Sequence, residues 1–200
     1  MRFWGWCGVV LVASLVSACS GSGGTDSGGA TATSEAAWAT PDGKVPSSSA
    51  KRPSELSLDG VTSCDLLTKD QRDGFGLTGA QTSKLSSTWS TNSCTTWDAD
   101  RVRSASVTAV STEGIEAFYR GRFTNMRYKP TVVRGFPALY YRFDNAEHAC
   151  YLAVDVADGQ LVDVAYGAGD AKKSAASQDE VCDTAFQVTE VAMDTLLRSQ

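Results

Sequence analysis

The sequence predicts an α+β domain in which an antiparallel sheet of about five strands is covered by helices, in the order α-β-β-α-β-β-β-α. Three observations predict this class. Segments with alternating apolar residues are joined by short turns, as neighbouring antiparallel strands are. Two capping-box patterns mark helix starts at the two ends of the region. Four cysteines, an even number, fall inside it and are expected to form two disulfides.

The first 18 residues have the anatomy of a signal peptide. Arg2 is followed by an apolar stretch from Phe3 to Val16, which is shorter than the about 20 apolar residues that a spanning helix needs. Residues 16–19 read Val-Ser-Ala-Cys and resemble the lipobox of bacterial lipoproteins. That resemblance implies that Cys19 receives a diacylglyceryl group and becomes the first residue of the mature chain. The alternatives are an ordinary cleaved signal that leaves a stray cysteine, or an uncleaved membrane helix.

Residues 19–58 are predicted to be the lipidated cysteine and a disordered tether. From Ser20 to Leu58, 28 of 39 residues are Gly, Ser, Thr, Pro or Ala, and Trp38 is the only aromatic residue. Such a composition buries too little apolar surface to order the chain. A single α+β domain is then expected over residues 59–200, with its ordered part beginning near Asp59.

The first half of this domain predicts a helix, a hairpin and a second helix. A capping box at residues 68–71 predicts a short helix that runs to about Phe75. Alternating residues predict strands at 94–98 and 102–110. A helix at about 113–123 follows, and its apolar side chains are expected to cover the core.

The second half predicts three strands and a last helix. The strands are expected at about 131–143, 149–157 and 160–166, and Asp158-Gly159 predicts a tight turn between the last two. A second capping box at residues 177–180 begins the final helix. This helix would pack on the sheet as the second layer of a sandwich. The strand side chains expected to face the core are Cys150, Leu152, Val154, Val156, Val162, Val164 and Tyr166.

The four cysteines of the domain are predicted to be structural. Sequence alone permits three connectivities, and we favour Cys64 with Cys94 and Cys150 with Cys182, because the second pair would pin the start of the last helix to a central strand. A four-cysteine zinc site is the competing interpretation. The shortest separation between two of these cysteines is 30 residues, which lacks the close pairing of such sites.

The cysteine motifs resemble a known family. The runs Cys64-Asp65-Leu66-Leu67-Thr68 and Cys94-Thr95-Thr96-Trp97, with Cys150 and Cys182, are similar to the actinobacterial lipoproteins grouped as domain-of-unknown-function family 3558. The resemblance covers about residues 59–198. It implies a cell-envelope lipoprotein with no assigned activity. The tryptophan of the family's Cys-x-Trp pattern is shifted by one position here, to Trp97.

Catalytic and cofactor motifs are sparse in the sequence. His148 is the only histidine, and no Gly-x-Ser-x-Gly accompanies it. Residues 74–79 match Gly-x-Gly-x-x-Gly but follow a predicted helix instead of a strand, so they indicate a helix stop and a turn. Asp98 and Asp100 are assigned to a turn. We expect no catalytic residue, no metal site and no cofactor.

Residues 134–143 carry aromatic residues on both faces of a predicted strand. One face must be core, and the other could expose Arg134, Tyr140 and Arg142 as a binding surface, because aromatic residues and Arg are favoured at binding hot spots. Pairing of these side chains with neighbouring strands is the alternative interpretation.

The charge balance limits the possible partners. Without Arg2 the chain has 17 basic and 23 acidic residues, a net charge of -6, which argues against nucleic acid and against docking on anionic lipid through a basic patch. Membrane attachment is therefore expected through the lipid at Cys19, on the extracytoplasmic face of the cell membrane. The first hypothesis is a non-enzymatic envelope module that binds a protein, lipid or cell-wall ligand or acts as an accessory. The second is an extracytoplasmic enzyme, such as a hydrolase, with an unrecognised site.

Overall fold

The structure, a computed structural model, describes residues 38–42, 51–168 and 176–200. The predicted signal peptide, Cys19 and most of the predicted tether lie outside these residues. Within them the α+β class is confirmed: the chain forms an antiparallel sheet with three α-helices. In chain order the elements are a 3-10 turn (Ser63–Leu66), α1 (Lys69–Gly74), β1 (Thr82–Leu85), β2 (Asn92–Trp97), β3 (Arg103–Val110), α2 (Glu116–Tyr119), β4 (Met126–Val133), β5 (Phe136–Phe143), β6 (Ala149–Ala157), β7 (Gln160–Ala168) and α3 (Gln178–Ser199).

The sheet has seven strands, two more than predicted, in the order β1-β2-β3-β7-β6-β5-β4. The short strand β1 was not predicted. The single strand expected at 131–143 is instead the hairpin of β4 and β5, which turns at Arg134 and Gly135 with φ of 50° and 85°. Two consecutive residues with positive φ are typical of a tight hairpin turn. Pro130 lies within β4, an edge strand, where a residue without an amide hydrogen is tolerated.

One face of the sheet, here called the helix face, is covered by α3 and by the segment that contains α1. Both predicted capping boxes are present, with Thr68 and Gln71 at α1 and with Ser177 and Glu180 at α3. The strand side chains predicted to face the core all lie in this cluster, together with buried residues of α3. The buried residues of α3 are Val181, Ala185, Val188, Thr189, Ala192, Met193 and Leu196.

The opposite face of the sheet, here called the aromatic face, is partly covered by α2 and the loops beside it. The two-layer sandwich expected from the sequence has no cover on this face. The helix predicted at 113–123 shortens to the four residues of α2, and Gly121 follows with φ of 79°. The side chains expected to cover the core from that helix pack here instead of beneath α3. They join a second cluster with Trp89, Met126, Tyr128 and Tyr141.

The packed region begins before Asp59, the start expected from composition. Leu56 and Leu58 are 4% and 2% exposed and belong to the cluster on the helix face. Their backbone amides donate to the carbonyl of Val156 at 2.9 Å and to the side chain of Gln160 at 2.7 Å. Two leucines in a polar segment carry too little periodicity to indicate this packing, although each is buried as completely as a strand residue.

Two disulfides fasten the helix face. Cys64 pairs with Cys94, and Cys150 pairs with Cys182, which are the pairings favoured on the sequence. The first joins the 3-10 turn to β2. The second joins the first turns of α3 to β6, a strand inside the sheet.

Candidate functional site

Arg134, the first residue of the predicted binding surface, is held by α3. Its Nε and Nη2 donate to the two carboxylate oxygens of Asp194 at 2.7 and 2.9 Å, and its Nη1 donates to Glu190 at 2.5 Å. This bidentate contact lowers the pKa of Asp194 from its ordinary value. Arg134 therefore fastens the β4–β5 turn to α3.

Tyr140 and Arg142, the other two residues of that surface, also have partners within the domain. Tyr140 is half-buried and stacks on Phe186 of α3, with ring centroids 6.0 Å apart and planes 20° from parallel. Its burial raises the pKa of the phenol to about 12. The guanidinium of Arg142 lies 4.4 Å from the ring centroid of Trp38. The three side chains consequently do not form one open surface.

The segment Trp38–Asp42, here called the N-terminal strap, docks on the edge of the sheet. The amide of Ala39 donates to the carbonyl of Tyr128 and the amide of Tyr128 donates to the carbonyl of Ala39, both at 2.8 Å. Trp38, which composition assigned to an exposed position in the tether, stacks with Arg142 instead. The N-terminal strap therefore contacts the domain at β4, one of the two edge strands.

A buried carboxylate, Asp163 of β7, lies at the centre of the aromatic face. It accepts hydrogen bonds from the Trp89 indole at 2.8 Å and from the Tyr141 hydroxyl at 2.6 Å. Burial raises the pKa of Asp163 to about 6, although both bonds favour the ionised form. Burial likewise holds the pKa of the Tyr141 phenol well above its ordinary value.

Aromatic rings surround this carboxylate. Trp89 packs against Phe118 and Phe123 with ring centroids 5.6 and 5.5 Å apart, and Phe118 packs against Tyr141 at 4.8 Å. Asp163 is 7% exposed and both of its oxygens have donors, so this arrangement holds the loop of Trp89 onto the sheet. Sequence reasoning missed the site, because alternation assigned Asp163 to the outward side of β7.

The remaining motif residues have structural surroundings. Asp98 lies at the β2–β3 turn, as predicted, but it is buried there and not solvated. It is 8% exposed, accepts from the amide of Val102 at 2.8 Å and pairs with Nε of Arg103 at 3.0 Å. The backbone amide of His148 donates to the side chain of Gln178 at 3.0 Å. In the run 74–79, Gly74 ends α1, as the prediction of a helix stop requires.

An open groove lies beside Trp97, on the same side of the sheet as the aromatic cluster but at the β1 edge. Its volume is about 700 Å³. The floor is formed by β1 and β2, and the walls are the loop before β1 and the β2–β3 turn. The lining side chains include Thr78, Thr82, Lys84, Thr95, Trp97 and Arg101.

The wall at Gly79 leaves no space for a side chain. Its amide donates to the carbonyl of Trp97 at 2.8 Å, and a Cβ at Gly79 would stand 2.8 Å from that same oxygen. The close approach holds the loop against β2 and so sets the position of the wall. A glycine is therefore required at position 79 by the close approach of this loop to β2.

The described residues include no group of three or more His, Cys, Asp or Glu side chains placed to hold a metal ion. They also include no helix long and apolar enough to cross a membrane.

The fold and the two disulfides define the class of protein: a disulfide-linked α+β domain built on a seven-stranded antiparallel sheet. The chain belongs to the family described as "Protein of unknown function (DUF3558)", whose model matches residues 14–195. The family expected from the cysteine motifs is thereby confirmed. No curated protein and no solved structure matches the chain.

Proposed function

We propose that this chain is a lipid-anchored, non-enzymatic binding or accessory module displayed on the outer face of the cytoplasmic membrane. The observation that carries the proposal is the distribution of its six cysteines. Four are paired in the two disulfides, which persist in oxidising compartments outside the cytoplasm. Cys19 follows the lipobox-like residues 16–18, and Cys7 would leave with the signal peptide.

The N-terminal strap supports a defined path from anchor to domain. Because Trp38 and Ala39 contact the sheet, the connection from Cys19 to the domain is residues 20–37 instead of the whole segment to Leu58. That connection is 18 residues long and rich in Gly and Ser. The domain would then stand near the membrane without touching it through a basic patch.

The chemistry of the two candidate sites favours binding over catalysis. Asp163, the carboxylate whose pKa is raised to about 6, is closed off and bonded to Trp89 and Tyr141. The groove beside Trp97 is open and presents an aromatic ring, hydroxyl groups and two cations. Ligand sites are concave surfaces on which a few polar groups fix the orientation of the ligand.

Membrane fractionation of cells that express the full chain tests the anchor. The wild-type protein is expected in the membrane fraction, and Cys19→Ser is expected outside it. Cys7→Ser is the matched control, because it removes a thiol from the same N-terminal region and should leave the membrane attachment unchanged. Retention of Cys19→Ser in the membrane fraction, at the wild-type level, contradicts the proposal.

A further inference from the structure

We propose that the groove beside Trp97 binds an anionic saccharide, meaning a sugar ring that carries a carboxylate or phosphate group. The inference rests on the proposed envelope function for where such a ligand is met, and on the groove itself for its chemistry. A groove of about 700 Å³ lies within the size range of small-molecule sites.

The floor of the groove offers one aromatic ring, that of Trp97, among polar side chains. The side chains of Cys94 and Thr96 are buried towards the helix face, so the alternation of β2 turns Trp97 and Thr95 to the opposite face. Trp97 is only partly buried there, beside the hydroxyl of Thr82. A sugar ring presents a C–H face that can stack on the indole ring. Its hydroxyl groups can form hydrogen bonds with the polar side chains around that ring.

The charge of the groove selects the kind of saccharide. Lys84 and Arg101 line it, and neither forms an ion pair with any residue in the described part of the chain. The carboxylate of Asp98, which also lines the groove, is already paired with Arg103. In a chain of net charge -5, a groove lined by two cations without ion-pair partners among the described residues is complementary to an anionic ligand.

The backbone holds one of these cations in an unusual conformation. Arg101 has φ of 54° in the β2–β3 turn, where glycine or asparagine would adopt the left-handed conformation more readily. The turn is otherwise well supported, since the amide of Arg101 donates to the carbonyl of Asp98 at 3.2 Å. An arginine at this position adds a positive charge to the groove that Trp97 also lines.

The groove is also remote from β4, the edge strand on which the N-terminal strap docks. It lies on β1 and β2, whereas the N-terminal strap docks on β4, six strand spacings away or about 29 Å. The groove is therefore free of the strap, and a polymer of the envelope can reach it while the strap stays docked.

The test is a calorimetric titration of the purified full chain in a neutral polyoxyethylene detergent. The ligands are trigalacturonate as the carboxylate probe, glucose 6-phosphate as the phosphate probe and maltotriose as the neutral control. At least one acidic saccharide is expected to bind at least tenfold more tightly than maltotriose. Equal binding of all three, or binding of none at millimolar concentration, overturns the proposal.

Variants locate the binding. Trp97→Ala and the double variant Lys84→Ala/Arg101→Ala are each expected to weaken binding at least tenfold. The matched control Lys51→Ala/Arg120→Ala removes the same charge from exposed positions outside the groove and is expected to change it less than twofold. If Trp97→Ala fails to fold, Trp97→Phe keeps a ring, and the exposed cation variants still decide the question.

Two further comparisons separate this proposal from its alternatives. Cys19→Ser should bind the acidic saccharide as tightly as wild type, so a failed anchor and a failed groove give different results. Phosphatidylglycerol vesicles added to Cys19→Ser should not compete with the saccharide. Vesicle binding by Cys19→Ser that is lost on adding Lys84→Ala/Arg101→Ala, together with no binding of either acidic saccharide, would assign the groove to an anionic lipid surface and refute the saccharide.

Discussion

Asp163 of the aromatic face allows a direct test of whether a buried carboxyl group there has a raised pKa. Its carboxylate is enclosed by rings and accepts one hydrogen bond from Trp89 and one from Tyr141. The substitution Asp163→Asn keeps the size and planar shape of the side chain, and its amide can still accept from Trp89 while donating to the Tyr141 oxygen. What it removes is the ability to ionise.

The expected magnitude follows from the raised pKa. A change from 3.8 in the unfolded chain to about 6 in the folded one corresponds to about 3 kcal/mol in the free energy of unfolding. Between these values the folded state keeps a proton that the unfolded state has released. The contribution is therefore fully present below about pH 4 and is lost as the pH rises through about 6.

Urea unfolding at several pH values between 4 and 7, followed by tryptophan fluorescence, measures this effect. The wild type is expected to gain about 3 kcal/mol of stability relative to Asp163→Asn as the pH falls across that range. Other carboxyl groups act equally on both proteins and cancel in the difference. A difference that does not change with pH would refute the assignment of Asp163 as a buried group with a raised pKa.

Asp163→Ala tests the hydrogen bonds separately. It leaves the Trp89 and Tyr141 donors buried without an acceptor, and each such donor costs about 1–3 kcal/mol. Asp163→Ala is therefore expected to be less stable than Asp163→Asn by about 2–6 kcal/mol. Equal stability of the two variants would show that these bonds contribute nothing to the fold.

Three further predictions concern the packing of the domain. Cys182→Ser opens the Cys150–Cys182 disulfide, whose cysteines are 32 residues apart, and should lower the free energy of unfolding by about 3 kcal/mol; an unchanged thermal midpoint contradicts this. Leu56→Ala should cost about 2–4 kcal/mol in urea unfolding because the leucine is buried, whereas exposed Ser57→Ala should change little; equal effects would place Leu56 outside the core. Trp38→Ala should speed amide hydrogen exchange at Ala39 while the thermal midpoint stays within about 3 °C, and unchanged exchange would show that the ring does not hold the strap.

The parts of the fold that sequence reasoning found are those with strong local signals. The capping boxes at Thr68 and Ser177 are short patterns whose bonds form within four residues, and both are present. The strands β6 and β7 show clear alternation, because one face packs beneath α3. The Asp158-Gly159 turn separates them as predicted.

The parts that sequence reasoning missed depend on contacts between distant residues. All four residues of β1 are exposed, so the strand carries no hydrophobic period. Asp163 was assigned outward because alternation cannot show that the second face is also covered, and its donors lie 74 and 22 residues away. The β4–β5 turn places Arg134 at positive φ, where the expected glycine or asparagine signal is present at only one of the two positions.

The candidate binding surface illustrates the same limit. Arg134, Tyr140 and Arg142 are the residue types that favour hot spots. Tyr140 and Arg142 alternate onto one face of β5, whereas Arg134 lies in the turn before the strand. Their partners on α3 and on the N-terminal strap are remote in sequence, which is why the alternative of intramolecular pairing could not be decided from the sequence. Trp97 and Lys84 line the same groove only because β1 and β2 pair.

The central claim, that the chain is anchored through a lipid on Cys19, is tested most directly by mass spectrometry of the full-length product purified from membranes. The expected N-terminal peptide begins at Cys19 and carries a diacylglyceryl group on its sulfur, with no peptide from residues 1–18 remaining. An N-terminal peptide that spans residues 18 and 19, or an unmodified Cys19, would contradict the claim.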